Sequence, residues 1–151
     1  MKSTLIIFLL ITVGVFAQTP KKSNENILIA NKQIFENLKS GDTVVLNYAM
    51  TGCFSLTVEK MVFTKTDNVL KAAIYDKDKL IKSHIISSED FKYLLSFEEK
   101  ARSMNRNTGC TNSESYTFLR NNKLQYKIMD STCSWNGYSL LKKAIFNISI
   151  I

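Results

Sequence analysis

The stretch from Cys110 to Cys133, CTNSESYTFLRNNKLQYKIMDSTC, constrains the fold more than any other part of the chain. It holds two runs with strand-like alternation about a central Asn121-Asn122, and a cysteine stands at each end. Tyr116, Phe118 and Arg120 share one face of the first run; Leu124, Tyr126 and Ile128 share one face of the second. A two-residue turn at Asn121-Asn122 pairs Phe118 with Gln125 and Tyr116 with Lys127, which sets the two apolar rows on opposite faces. A three-residue loop, Arg120-Asn121-Asn122, pairs Phe118 with Leu124 and Tyr116 with Tyr126 instead. It asks only that Asn122 take the left-handed conformation, which asparagine tolerates. This second register is the expectation. It sets Cys110 opposite Thr132, one step from Cys133, so a bulge or splayed end near Asp130-Ser131 is needed to close a bridge.

The cysteines gain meaning from the N-terminus. Residues 1–17 read as a secretory signal peptide, with Lys2 as the positive region, LIIFLLITVGVF (5–16) as the apolar core and Val15-Phe16-Ala17 as the cleavage site. The other reading is an uncleaved anchor, but the run is short for a span and no basic flank follows closely. No cysteine sits at the cleavage point, which argues against a lipoprotein, and no other apolar run is long enough to cross a bilayer. The expectation is a chain exported to the periplasm or the extracellular space after cleavage following Ala17. In an oxidising compartment two of Cys53, Cys110 and Cys133 pair and one is left over. Cys110–Cys133 is the preferred pair, a bridge to Cys53 and no bridge being the alternatives. Closing that loop stabilises by roughly 3 kcal/mol in the chain-entropy account.

Cleavage leaves 134 of the 151 residues, enough for one domain with a core, and takes the formal net charge from +7 to +6 by loss of Lys2. An exported protein has no ordinary access to nucleic acid. The basic balance points instead to an anionic envelope component, a glycan or an acidic protein. The lysines, among them Lys60, Lys65, Lys71, Lys77, Lys79, Lys82, Lys142 and Lys143, are scattered rather than massed, so a merely solubilising surface accounts for them equally.

In chain order, residues 18–24 (QTPKKSN) form a polar, disordered leader, and 25–151 a single domain. Ile27, Leu28, Ile29, Ile34, Phe35 and Leu38 fall at helical spacing, so a helix is predicted over 25–39, capped by Asn24 and stopped by Gly41. Strands are predicted at 43–50, 53–64, 69–76 and 79–86, with turns at Thr66-Asp67-Asn68 and Lys77-Asp78. Within 53–64, Phe54, Leu56 and Val58 lie in one phase and Met61 and Phe63 in the other, as a bulge after Lys60 produces. Ser87-Ser88-Glu89-Asp90 opens a second helix with Phe91, Leu94, Leu95, Ala101 and Met104 buried; Asn105 to Gly109 ends it. A last helix runs from 136 to 147 with Tyr138, Leu141, Ile145 and Ile148 on one face, and the closing residues pack against the sheet. The sum is α+β: an antiparallel sheet, a four-stranded meander plus a C-terminal hairpin, packed by about three helices. A helix followed by an antiparallel meander is similar in element order to the cystatin-like fold, a likeness of order alone that carries no function.

Chemistry has few footholds. His84 is the only histidine, so Cys53 with His84 is the one thiol–imidazole pair that a cysteine hydrolase could use, although Cys53 has no helix N-terminus behind it to lower its pKa. Metal-ligand spacing, a glycine-rich phosphate loop and a GxSxG elbow are all missing, and no cofactor is implied. Adjacent carboxylates at Glu98-Glu99 point some 100° apart on a helix and do not converge on a substrate. Tyr116, Phe118, Tyr126, Trp135 and Tyr138 form a binding platform if exposed and core if buried. The expected function is a small exported, non-enzymatic binding protein with one disulfide; the alternative is a thiol enzyme using Cys53 and His84.

Overall fold

The computed structural model describes residues 33–53, 56–104 and 112–148. The expected signal peptide, the leader 18–24, residues 25–32 of the first expected helix, Phe54, Cys110 and residues 149–151 lie outside that description. The alternating runs form six strands, β1 (Thr43–Thr51), β2 (Leu56–Thr66), β3 (Val69–Asp76), β4 (Lys79–Ile85), β5 (Ser113–Arg120) and β6 (Lys123–Asp130). Two helices join them, α1 (Ser88–Ser103) and α2 (Gly137–Phe146). The strands make one antiparallel sheet in the order β4-β3-β2-β1-β5-β6. The meander folds back strand by strand, α1 carries the chain across one face, and the hairpin adds on the free side of β1.

Both helices lie on the same face. Val44, Leu46 and Tyr48 of β1, Met61 and Phe63 of β2, and Tyr116 and Phe118 of β5 point into a core closed by Leu94, Phe97 and Ala101 of α1 and Tyr138, Leu141 and Ile145 of α2. Aromatic rings fill its centre: Tyr48 stacks on Tyr138 at 3.9 Å, and Phe118 on Tyr126 at 4.4 Å. Each such ring contributes about 2 kcal/mol through burial alone. The helix signals hold. Ser87 caps α1 in a reciprocal box with Asp90, and Asn147 ends α2 in the left-handed conformation.

Three expectations are corrected. Between Gln33 and Lys39 the chain makes a single 3₁₀ turn, Phe35–Asn37, rather than the end of an α-helix, so the described residues hold two α-helices. Gly41, at φ +88°, serves the approach to β1 and not a helix end: its N–H donates to the Lys65 carbonyl at 2.8 Å. In β2 no bulge follows Lys60; the pairing with β1 runs unbroken from Thr43–Thr64 to Thr51–Leu56. Leu56 and Val58 therefore face away from the core, because the strand keeps one phase throughout.

A fourth correction is the hairpin, added to those three. The loop has two residues, Asn121 and Asn122, both left-handed at φ 50° and 63°, as a type I′ turn requires. An irregularity between Phe118 and Leu119 leaves Gln125 as an extra residue, so Leu119 pairs with Leu124 while Phe118 pairs with Tyr126. The bulge reconciles the tight turn with two inward apolar rows. A second irregularity at Ile74–Tyr75 leaves Ile81 as the extra residue of β4.

Two buried carboxylates tie the segment before β1 to the rest of the fold. Glu98 of α1 is 0 % exposed and accepts the N–H groups of Ile34 at 2.6 Å and Phe35 at 3.1 Å. Arg102 one turn on donates to it at 2.9 and 2.8 Å, and lies over the Tyr126 ring. Asp42 accepts from the Lys39 N–H at 2.7 Å, from Asn121 Nδ2 at 2.7 Å and from Arg120 Nη2. The Arg120 bond, with the Lys39 and Asn121 donors, takes the Asp42 pKa from its ordinary 3.8 to about 2.

Candidate functional site

With α1 and α2 on one face, the other face of the sheet is covered by no described element. Pairing fixes its rows. One band runs Leu124–Leu119–Val45–Val62–Ala73 across five strands. The next row is Lys127–Thr117–Asn47–Lys60–Tyr75–Leu80. Beyond it lie Met129, Ser115, Ala49 and Val58. Larger apolar residues stand at its margin: Leu56 is 68 % and Val58 50 % exposed, and Leu80, Ile85, Leu124 and Met129 are exposed as well.

The electrostatics of this face have one sign. At its outward strand positions the charged side chains are Lys60, Lys71 and Lys127. Lys60 lies over the Tyr75 ring at 5.1 Å and reaches Asp78, in the β3–β4 turn, at 3.5 Å. The acidic strand residues Glu59, Glu114 and Asp130 fall in the opposite phase, towards the helices. There Glu59 takes both of its oxygens to Lys142 of α2, at 2.9 and 3.0 Å, and Glu114 accepts the Tyr116 hydroxyl.

The residues singled out from sequence are placed differently. Tyr116, Phe118, Tyr126 and Tyr138 are buried and turned towards the helices, so these four are core, and Trp135 is half-buried at its edge. Burial raises the pKa of the Tyr48, Tyr116, Tyr126 and Tyr138 hydroxyls, reinforced by neighbouring carboxylates. Glu98 is buried and Glu99 exposed, so the two do not act as a pair.

Cys53 and His84 are not brought together. His84 shares a row with Ala72, Phe63 and Val44 at one end of the sheet. Cys53 follows Thr51, which lies about 23 Å along β1 from Val44 at the usual rise per residue. His84 Nε2 instead meets Asp90 at 3.0 Å. Burial opposes the charged form of Asp90, but the N–H and hydroxyl of Ser87 and the imidazole of His84 outweigh it and lower its pKa. Cys53 is a free, exposed thiol, whereas Cys133 is disulfide-bonded; Cys110 lies outside the described residues.

Among the described residues no group of three or more His, Cys, Asp or Glu side chains is gathered as a metal site. Among the described residues no helix is long and apolar enough to cross a membrane. The open face is hard to read in the sequence because Leu56, Val58 and Leu124 stand in apolar rows expected to face inward; the pairing of Phe118 with Gln125 that a two-residue turn imposes is the signal of a bulge. No family model, no curated protein and no solved structure matches this chain.

Proposed function

We propose that this protein is a small exported interaction protein, stabilised by a Cys110–Cys133 bridge, that docks an acidic partner protein on the open face of its sheet. The observation that carries the reading is the pairing of an apolar margin with charges of one sign, Lys60 and Lys71. The leader-like residues 1–17 support export, and the free Cys53 beside a bonded Cys133 supports the bridge. The occupant is an amphipathic helix with carboxylates flanking its apolar stripe. A helix laid across this face covers the second side of the sheet as α1 and α2 cover the first. A second copy fits less well, because face-to-face packing sets Lys60 and Lys71 against their own counterparts. In projection the face measures about 24 Å by 25 Å, the scale of one side of a standard interface.

The test uses two synthetic helical peptides with the same leucine stripe, one flanked by glutamates and one by lysines. Fluorescence anisotropy should show saturable, salt-sensitive binding of the acidic peptide, weakened at least tenfold by Val58→Glu and by Lys60→Glu. Equal binding of the two peptides, or binding unaffected by both variants, refutes the reading. Sedimentation showing a dimer that Val58→Glu dissolves assigns the face to a second copy and also refutes it. Uptake on anionic vesicles without peptide binding does so too.

A further inference from the structure

On the opposite side of the molecule the two helices leave a groove between them. Asp90 and Phe146 both meet β4, through His84 and through Lys82, whose Nζ donates to the Phe146 carbonyl at 2.5 Å. Trp135, just before α2, stacks on Phe97 of α1 at 5.3 Å. The helices are therefore antiparallel, and the groove between them has a volume of about 630 Å³, within the range of small-molecule sites. Phe97 and Trp135 form its floor at one end; Tyr93 and Leu140, 55 % and 53 % exposed, stand at its mouth.

Gly137 makes that floor. A Cβ at this position would meet the Trp135 ring at 2.1 Å, so only glycine lets the indole lie across the first turn of α2. Lys100, one turn beyond Phe97, lines the same end of the groove, and Lys143 lines the α2 wall. Glu89 and Asp90 lie at the far end, where Asp90 is engaged by Ser87 and His84. An apolar groove with a lysine at one end suits a carbon body that ends in an anion.

We infer that the groove between α1 and α2 binds an amphiphilic anion, its acyl or aromatic body lying against Trp135 between Tyr93 and Leu140 and its carboxylate meeting Lys100. This site is separate from the open sheet face and does not depend on what occupies that face. Trp135 is the only tryptophan of the chain, so its emission reports the site directly. Full-length secreted protein titrated with decanoate should give a saturable blue shift. Lys100→Gln should weaken decanoate about fivefold, the worth of one part-solvated ion pair, while leaving 1-decanol unchanged. Leu140→Asp should weaken both ligands. Absence of a saturable shift overturns the inference, as does equal affinity of Lys100→Gln and wild type for decanoate. Binding that survives Leu140→Asp unaltered places the ligand elsewhere and overturns it as well.

Discussion

The carboxylate of Glu98 lies 2.6 Å from the backbone nitrogen of Ile34, so one helical side chain closes the open N–H groups of a turn 64 residues away in sequence. Without it, the amides of Ile34 and Phe35 lose their acceptor in a buried setting. Glu98→Ala should cost about 3–5 kcal/mol in urea unfolding, the penalty for breaking a buried charged network. Glu99→Ala, on the exposed side of the same helix, should stay within about 0.5 kcal/mol. Similar costs for the two would show that Glu98 is not the clamp.

Gly137 and Trp135 give the second test. Alanine is the better helix former, by about 1 kcal/mol, yet its Cβ collides with the indole. Overpacking costs about 1–3 kcal/mol and should win. Gly137→Ala is expected to lower stability and to shift Trp135 emission to the red as the ring leaves Phe97. A stabilised variant with unchanged emission would mean that the indole is free to move aside.

Asp42 sets an acid limb. Its folded pKa of about 2 lies below the ordinary 3.8, so on acidification the unfolded chain takes up the proton first. The stability this contributes is complete above about pH 4 and is lost progressively as pH falls towards 2. Urea midpoints at pH 5.5 and 2.5 should show the gap between wild type and Asp42→Asn narrowing at the lower pH. A constant gap would remove Asp42 from the acid response.

The turn at Asn121-Asn122 separates two roles. Asn121 also binds Thr43 N–H and Asp42, at 2.9 and 2.7 Å, whereas Asn122 contributes its left-handed backbone. Asn122→Gly should be neutral or stabilising by up to about 1 kcal/mol, and Asn122→Val destabilising by about 1–2 kcal/mol. Asn121→Gly should destabilise. Thermal melts of the three variants distinguish the roles.

Local signals were legible wherever one residue type decides a local geometry. Ser87 and Asp90 announced α1, Asn147 closed α2, and Asp67 and Lys77 turned the meander at positive φ. What escaped were choices made between distant segments. Helical spacing sets Glu98 with Leu94 and Ala101 on the inner stripe of α1, but its partners lie at residues 34 and 35, which no local pattern names. The phases of Leu56, Val58 and Leu124 followed from register with β1 and from a bulge that no residue type marks. The open face is the sum of those assignments, so an error in each removed it from view.

The two bulges fall on β4 and β6, the strands that border the sheet. Each inserts its extra residue, Ile81 or Gln125, into the strand whose far side has no neighbour among the described residues. A bent border offers no straight ladder to a seventh strand, and lysines at 79, 82, 123 and 127 punctuate both borders. The chain thus resists fibril growth along its rims even though one apolar face of its sheet is covered by no described element.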